Sequence, residues 1–276
     1  MNRKIENKLL SRFLSVFTLI SRIPVKAEFT IDFSRADFWI PAISVFVSIA
    51  ATAGFYVGML FTRSPSVSAG CAILLQYWFF NLFHLDGLID SADAMVPAAS
   101  KERRLEILKD PRVGTYGFFA GFMALSLRFA LLTSGMSEGR SYYSFILPAL
   151  LTAPIAGRLS AALLARFFKP ASDRGLGALM RDFSLSRIAA GTVLALTPLA
   201  IFSLGSGTGA DSRSGGWLLL VTASGALFVS ALAVALIVGK KYTKEIGGFT
   251  GDSLGCSIEL GELLFLFLFF AARTWS

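Results

Sequence analysis

The chain has 276 residues, 54% of them hydrophobic and 16% charged, with a mean hydropathy of +0.65. That balance excludes an ordinary soluble globular protein and places the chain among integral membrane proteins. A net charge of +8 raises the question of a nucleic-acid partner. No zinc-finger spacing or basic-aromatic repeat accompanies it, so the expected partner is the lipid bilayer and not nucleic acid.

In chain order, Leu9–Val25 is moderately apolar, is broken by Arg12 and Arg22, and ends without a small-residue cleavage site. It reads as an interfacial helix rather than a signal peptide. Six uncharged runs follow: Phe38–Thr62, Ser64–Phe83, Val113–Leu127 continuing past Arg128 to Gly135, Ser141–Phe168 interrupted by Arg158 and Arg166, Ile188–Gly205, and Gly215–Gly239. Each approaches the ~20 apolar residues that cross ~30 Å of hydrocarbon. A seventh run, Ser257–Ala272, is short and carries Glu259 and Glu262 in its first half. Gly205–Gly216 reads as a flexible outer loop. The expected architecture is all-α: one polytopic membrane domain over residues 1–276, with an N-terminal segment 1–37 and a bundle of six or seven transmembrane helices over 38–272. Cys71 and Cys256 have no CxxC or histidine partner at metal spacing and read as structural thiols.

Lys and Arg are retained on the cytoplasmic side of membrane proteins, which gives the orientation. Residues 1–37, 84–112, 166–187 and 240–256 hold seven, five, five and three cations, twenty in all. The alternate connections and the C-terminus hold four: Arg63, Arg140, Arg213 and Arg273. The sequence therefore predicts a cytoplasmic N-terminus, an outward C-terminus and an acidic cluster that faces the cytoplasm.

Directly after the second apolar run stands His84-Leu-Asp-Gly-Leu-Ile-Asp-Ser-Ala-Asp93. Spacings of four and seven return to nearly the same helical face, so Asp86, Asp90 and Asp93 point together at the membrane boundary. Three clustered carboxylates repel one another, and a divalent cation is the natural counter-charge. Mg²⁺ suits such hard oxygens and binds through a few carboxylates plus substrate phosphates. The only histidine, His84, falls on the opposite side of that helix and reads as structural or supporting.

The other inward connections add both signs of charge. Lys101-Glu-Arg-Arg-Leu-Glu-Ile-Leu-Lys-Asp-Pro-Arg112 reads as an amphipathic interfacial helix with intrahelical ion pairs, ending in Lys109 and Arg112, which can reach a phosphate. Asp173-Arg-Gly-Leu-Gly177 and Gly247-Gly-Phe-Thr-Gly-Asp252 complete the set; the latter lacks the Walker lysine, yet its glycines let backbone N–H groups approach an anion. Glu259 and Glu262, three apart, read as further metal ligands, with polar packing as the alternative. Arg158, mid-span, is expected to pair with an acid inside the bundle. Acids for a metal and bases for phosphate at one surface fit phosphoryl transfer.

The stretches FTLISRIPV (17–25), HLDGLIDSADA (84–94), ERRLEILKDPRVGTYG (102–117), RGLG (174–177) and GGFTGDSLGCSIELGELLFL (247–266) together resemble the cobalamin synthase family, the adenosylcobinamide-GDP ribazoletransferases. The resemblance implies an integral membrane enzyme that uses Mg²⁺. Such an enzyme transfers the phosphocobinamide group of adenosylcobinamide-GDP to a ribose hydroxyl of α-ribazole, or of α-ribazole 5′-phosphate, and releases GMP. Asp86, Asp90 and Asp93 would then hold metal, Lys109 and Arg112 would clamp phosphate, and Asp252 or one of the triad would orient or deprotonate the attacking hydroxyl. Ala94 and Pro111 depart from the family's usual Gly and Ser; neither change removes a ligand.

Two rival readings remain at this point. A lipid CDP-alcohol phosphotransferase would place Ala-Arg soon after Asp-Gly with two further aspartates downstream, a spacing this chain lacks. A transporter would use Asp93, Arg128, Arg158 and Glu259 as an intramembrane ion path, but no paired halves are visible in the sequence.

Overall fold

Backbone N–H and C=O groups find no water in hydrocarbon, so each apolar run closes its hydrogen bonds within a helix. The computed structural model describes residues 4–5, 7–134, 140–205 and 210–274. Seven of its helical segments are long and apolar enough to cross a membrane. They are Ala36–Thr62, Pro65–Met95, Thr115–Thr133, Ser144–Phe167, Leu185–Gly205, Gly216–Ile246 and Gly251–Ala272. The all-α polytopic architecture expected from composition is the one observed. Among the described residues, β structure is limited to a parallel pair of two-residue strands, β1 (Lys4–Ile5) and β2 (Glu28–Phe29), and one bridge between Pro170 and Phe249.

The first helix, α1 (Lys8–Ile20), starts at Asn7, whose Oδ1 accepts from the Leu9 N–H at 2.9 Å. It buries Leu14, Val16, Phe17 and Ile20 and exposes Leu9 and Leu10, as an interfacial helix requires. It ends at Ile20, short of the expected Val25, because the chain turns extended at Ser21 ahead of Pro24.

Helices α2 (Ala36–Ala42) and α3 (Ser44–Thr62) form the first span. The second is α4 (Pro65–Gln76), a π-turn over Tyr77–Asn81, and α5 (Leu82–Met95) in one continuous rod. After the short α6 (Lys101–Ile107) come α7 (Thr115–Thr133) and α8 (Arg140–Phe167). A four-residue α9 (Leu176–Leu179) precedes α10 (Leu185–Ala195) and α11 (Thr197–Gly205), which share the fifth span. The last two helices are α12 (Ala210–Ile246) and α13 (Gly251–Thr274).

Several boundaries differ from the sequence reading, among them that of the sixth span, which runs to Ile246 and not Gly239. The second span does not stop at Phe83 but runs to Met95. At ~1.5 Å per residue its 31 residues cover ~46 Å, longer than the ~30 Å hydrocarbon core. The outer loop expected over 205–216 is helical from Ala210 onward, and residues 206–209 of it, like Gly135 at the end of the third run, lie outside the described residues. The seventh segment is a full span, because its helix begins at Gly251 and places Glu259 and Glu262 well inside it.

Helices α8 and α13 form the centre of the bundle; α13 packs against α5, α7, α8 and α12, and α8 also against α2, α3, α10, α11 and α12. Successive spans alternate in direction, so the N-terminal segment and the connections around 96–114, 168–184 and 247–250 gather at one end. Two links tie that end together. Ala171 donates its N–H to the Phe249 carbonyl at 2.9 Å. Asp37, 1% exposed, accepts from the Ser184 N–H at 2.8 Å and from Arg187 Nε at 2.6 Å.

Candidate active site

The site grows from the crossing of α5 over the first turn of α13. A Cβ on Gly87 would lie 2.8 Å from the Asp252 carbonyl, and one on Gly255 would lie 3.0 Å from the His84 carbonyl. Two glycines facing each other thus let the backbones touch, as small residues do in membrane helix pairs. This contact carries Asp252, in the first turn of α13, to the acidic face of α5. Asp90 feels the charges of Asp86, Asp252 and Asp93 together. Asp86 is exposed while Asp90 and Asp252 are half-buried. Beside the crossing, Ser91 donates to the Gly87 carbonyl at 2.5 Å within α5 and bonds the Tyr242 hydroxyl of α12 at 2.6 Å. No cation pairs with Asp86, Asp90 or Asp252 among the described residues.

Asp93 stands differently. Its two carboxylate oxygens accept the backbone N–H groups of Gly114 at 2.7 Å and Gly117 at 2.8 Å, at the start of α7. Beside it an open pocket of ≈ 370 Å³ is lined by Asp93, Ile107, Asp110, Arg112, Val113 and Gly114. Arg112 is held by a bidentate pair with Asp110, Nη2 to Oδ2 at 2.6 Å and Nε to Oδ1 at 2.9 Å, yet its side chain remains 86% exposed. The Arg112 side-chain and backbone donors hold the Asp110 carboxyl down to about 2, and Asp110 in turn raises the Arg112 guanidinium above its ordinary value. Lys109 is exposed on the same strap. The amphipathic helix expected here is α6, with the anticipated i,i+3 pair of Arg103 and Glu106 at 2.9 Å. Sequence reasoning missed its buried member: Arg104 bonds the Ala94 carbonyl at 2.5 Å and Glu245 at 3.0 Å, pinning α6 to α5 and α12.

The glycine-rich loop before α13 serves this end of the bundle as a brace. Phe249 donates its N–H to the Lys169 carbonyl at 3.0 Å, and Thr250 donates its N–H to Ser253 Oγ at 3.0 Å. Those two donors, like the Gly247 N–H, which bonds the Thr243 carbonyl at 3.1 Å, are committed within the protein. The 173–177 loop lies alongside, with Gly177 against the Phe249 ring and Arg181 paired to Asp173.

Glu259 and Glu262 lie about 10 and 15 Å farther along α13 than Asp252 at helical rise, inside the bundle. Glu262 accepts from Arg128 Nη1 and Arg158 Nη1, each at 2.6 Å, and from Gln76 Nε2 at 2.6 Å. Glu259 accepts from Asn81 Nδ2 at 2.9 Å, from Arg128 Nη2 at 3.3 Å and from the Tyr77 hydroxyl. Asn81 also takes Arg158 Nη2 on its Oδ1 at 2.8 Å. The π-turn adds one residue to the helical ring there and aims Tyr77 and Asn81 into the cluster. Two glutamates and two arginines, all fully buried, form a closed neutral set. Both glutamates thus stand among polar and cationic partners, and Glu262 supplies Arg158 with an acid partner. His84 is buried beneath the acidic face beside Arg158, in the lining of a small apolar cavity of ≈ 30 Å³.

Asp86, Asp90 and Asp252 are thus hard-oxygen side chains at one end of the bundle with no cation partner among the described residues. No three His, Cys, Asp or Glu side chains among the described residues close into a metal-holding group by themselves. Mg²⁺ keeps several waters and takes one or two carboxylates plus substrate phosphates, so an uncompensated, open set of hard oxygens fits it chemically.

Fold and site together describe a polytopic helical membrane protein with an acidic patch and a basic strap at one end of the bundle. The chain belongs to the cobalamin-5-phosphate synthase family, whose pattern matches residues 12–270. A protein of Fervidobacterium nodosum named adenosylcobinamide-GDP ribazoletransferase is 30% identical over 261 residues, covering 94% of this chain and 96% of its own length. One of Escherichia coli with the same name is 31% identical over 261 residues (92% and 97%), and one of Clostridium botulinum is 28% identical over 263 (94% and 97%). No solved structure matches the chain.

Proposed function

We propose that this protein is an adenosylcobinamide-GDP ribazoletransferase. It joins the phosphocobinamide group of adenosylcobinamide-GDP to α-ribazole or α-ribazole 5′-phosphate, and it works at the cytoplasmic face of a bacterial inner membrane. The single observation that carries the mechanism is the uncompensated trio Asp86, Asp90 and Asp252 beside a strap that presents Lys109 and Arg112. The asymmetry of twenty inward cations against four supports the orientation.

In the reaction a bond forms between the ribose oxygen and the phosphorus attached to cobinamide. The bond from that phosphorus to the bridging oxygen breaks, and GMP leaves with the electron pair. Asp86 and Asp90 would hold Mg²⁺, which when bound would supply charge neutralisation for the diphosphate and the departing phosphate. Arg112, kept cationic and extended by Asp110, and Lys109 bind the phosphate oxygens. Asp252, half-buried and free of a cation, receives the hydroxyl proton. The closed neutral set around Glu262 disfavours the transporter reading, since it offers no vacant charge to a travelling ion.

The test is protein reconstituted in lipid with Mg²⁺, adenosylcobinamide-GDP and α-ribazole. Cobalamin and GMP are expected in equal amounts. Intact substrates after prolonged incubation with folded protein would reject the assignment.

A further inference from the structure

We infer that Asp93 is a positioning residue, not a metal ligand: it caps α7 from a neighbouring helix and so holds the Lys109–Arg112 strap over the acidic patch. The inference rests on the phosphoryl-transfer reading above and assigns one of its three helix-α5 acids to a different task.

The first turn of a helix leaves N–H groups without partners, and a capping box satisfies two of them, those of the N-cap and N3 residues. In α7 these positions are Gly114 and Gly117, which have no side chains with which to do so. The Asp93 carboxylate supplies both bonds at once, one oxygen to each N–H, at 2.7 and 2.8 Å. The fit is tight. A Cβ on Gly114 would lie 2.5 Å from Asp93 Oδ1, and one on Gly117 would collide with Oδ2. The glycines of the Val-Gly-Thr-Tyr-Gly117 stretch are thus explained by the carboxylate that must reach past them. Strong charge-assisted bonds to both oxygens distinguish Asp93 from Asp86 and Asp90, which have no such partners. The consequence is mechanical: residues 108–113 connect α6, pinned by Arg104, to an α7 start pinned by Asp93. The strap is fixed at both ends, with Lys109 and Arg112 between them.

The experiment compares wild-type, Asp93→Asn and Asp90→Asn proteins in lipid nanodiscs with two readouts besides turnover. One is Mn²⁺ affinity by electron paramagnetic resonance in the presence of GDP. The other is amide hydrogen exchange over residues 113–118. For Asp93→Asn we expect exchange at the α7 start to accelerate at least about tenfold, as loss of bonds to a charged acceptor implies, with Mn²⁺ affinity within about twofold of wild type. Turnover should fall through a raised KM for the guanylylated substrate. Adding Arg112→Ala to Asp93→Asn should cost much less than it does in the wild type, because the arm is already displaced. Asp90→Asn should behave oppositely, losing Mn²⁺ and keeping exchange protection. Weakened Mn²⁺ binding by Asp93→Asn with unchanged protection of 113–118 would overturn the inference. Should that variant not fold, wild-type protein decides: Mn²⁺ and GDP should leave protection of 113–118 intact, whereas deprotection would show the metal taking the carboxylate from those amides. Failure of the wild type to form cobalamin would instead strike the functional assignment and leave the exchange result standing.

Discussion

Two charged clusters lie where α13 meets the rod of α4 and α5, the inner one joined by Arg128 of α7 and Arg158 of α8, and they obey opposite rules. The inner one, around Glu259 and Glu262, is fully buried, and both carboxylates are paired with arginines and hydrogen-bonded. The outer one, Asp86, Asp90 and Asp252, is half open, carries only negative charge and has no cation among the described residues. In a low-dielectric interior a charge survives only if it is paired where it stands, so the inner cluster must be complete in the protein alone. At the interface an incomplete cluster is tolerable, and its missing counter-charge marks where a ligand completes it.

That contrast can be broken most directly at Asp90. Replacing it with Asn removes one like charge from a repelling set, so the fold should be unharmed or slightly stabilised while turnover drops by about a hundredfold to a thousandfold. Thermal unfolding in detergent alongside the product assay reads both. Glu262→Gln should do the reverse. It strips the shared partner from Arg128 and Arg158, and the uncompensated buried charge should destabilise the bundle by about 3–5 kcal/mol, seen as a lowered unfolding midpoint. A Glu262→Gln protein as stable as wild type would show that the inner cluster is not the closed set described.

The smallest effect concerns pH. Asp110 has its carboxyl held down to about 2 by Arg112, so its folded-state value lies below the unfolded one. The pair is then intact above the usual carboxylate range and is lost only as pH falls through about 2. Asp110→Asn should therefore lower phosphate binding modestly and equally from pH 5 to pH 8, by about a few fold for an exposed pair. A pH-rate profile whose acid limb moves in that variant would contradict this.

Much of this was legible in the chain. The spans follow from uncharged length, and the shared face of Asp86, Asp90 and Asp93 follows from spacings of four and seven. What sequence could not give was which carboxylates would meet partners. Asp93 looks identical to its two neighbours until α7 brings Gly114 and Gly117 to it from across a loop. Glu259 and Glu262 look like candidate ligands until Arg128 and Arg158, from two other helices, converge on them. Asp252 joins the patch only because Gly87 and Gly255 allow two helices to touch. Arg104 and Asp37 gave weaker signals still. Arg104 sits among alternating charges on an amphipathic helix, and Asp37 is a lone acid at the head of an apolar run; their roles as ties between helices depend wholly on tertiary contacts.

The central claim is that the interfacial acids, and not the buried ones, hold the divalent cation that the reaction uses. Mn²⁺ binding in the presence of GDP, measured on wild-type and Asp90→Asn protein in nanodiscs, tests it most directly. The wild type is expected to bind the ion and Asp90→Asn to lose it while remaining folded. Equal binding by the two proteins would contradict the account.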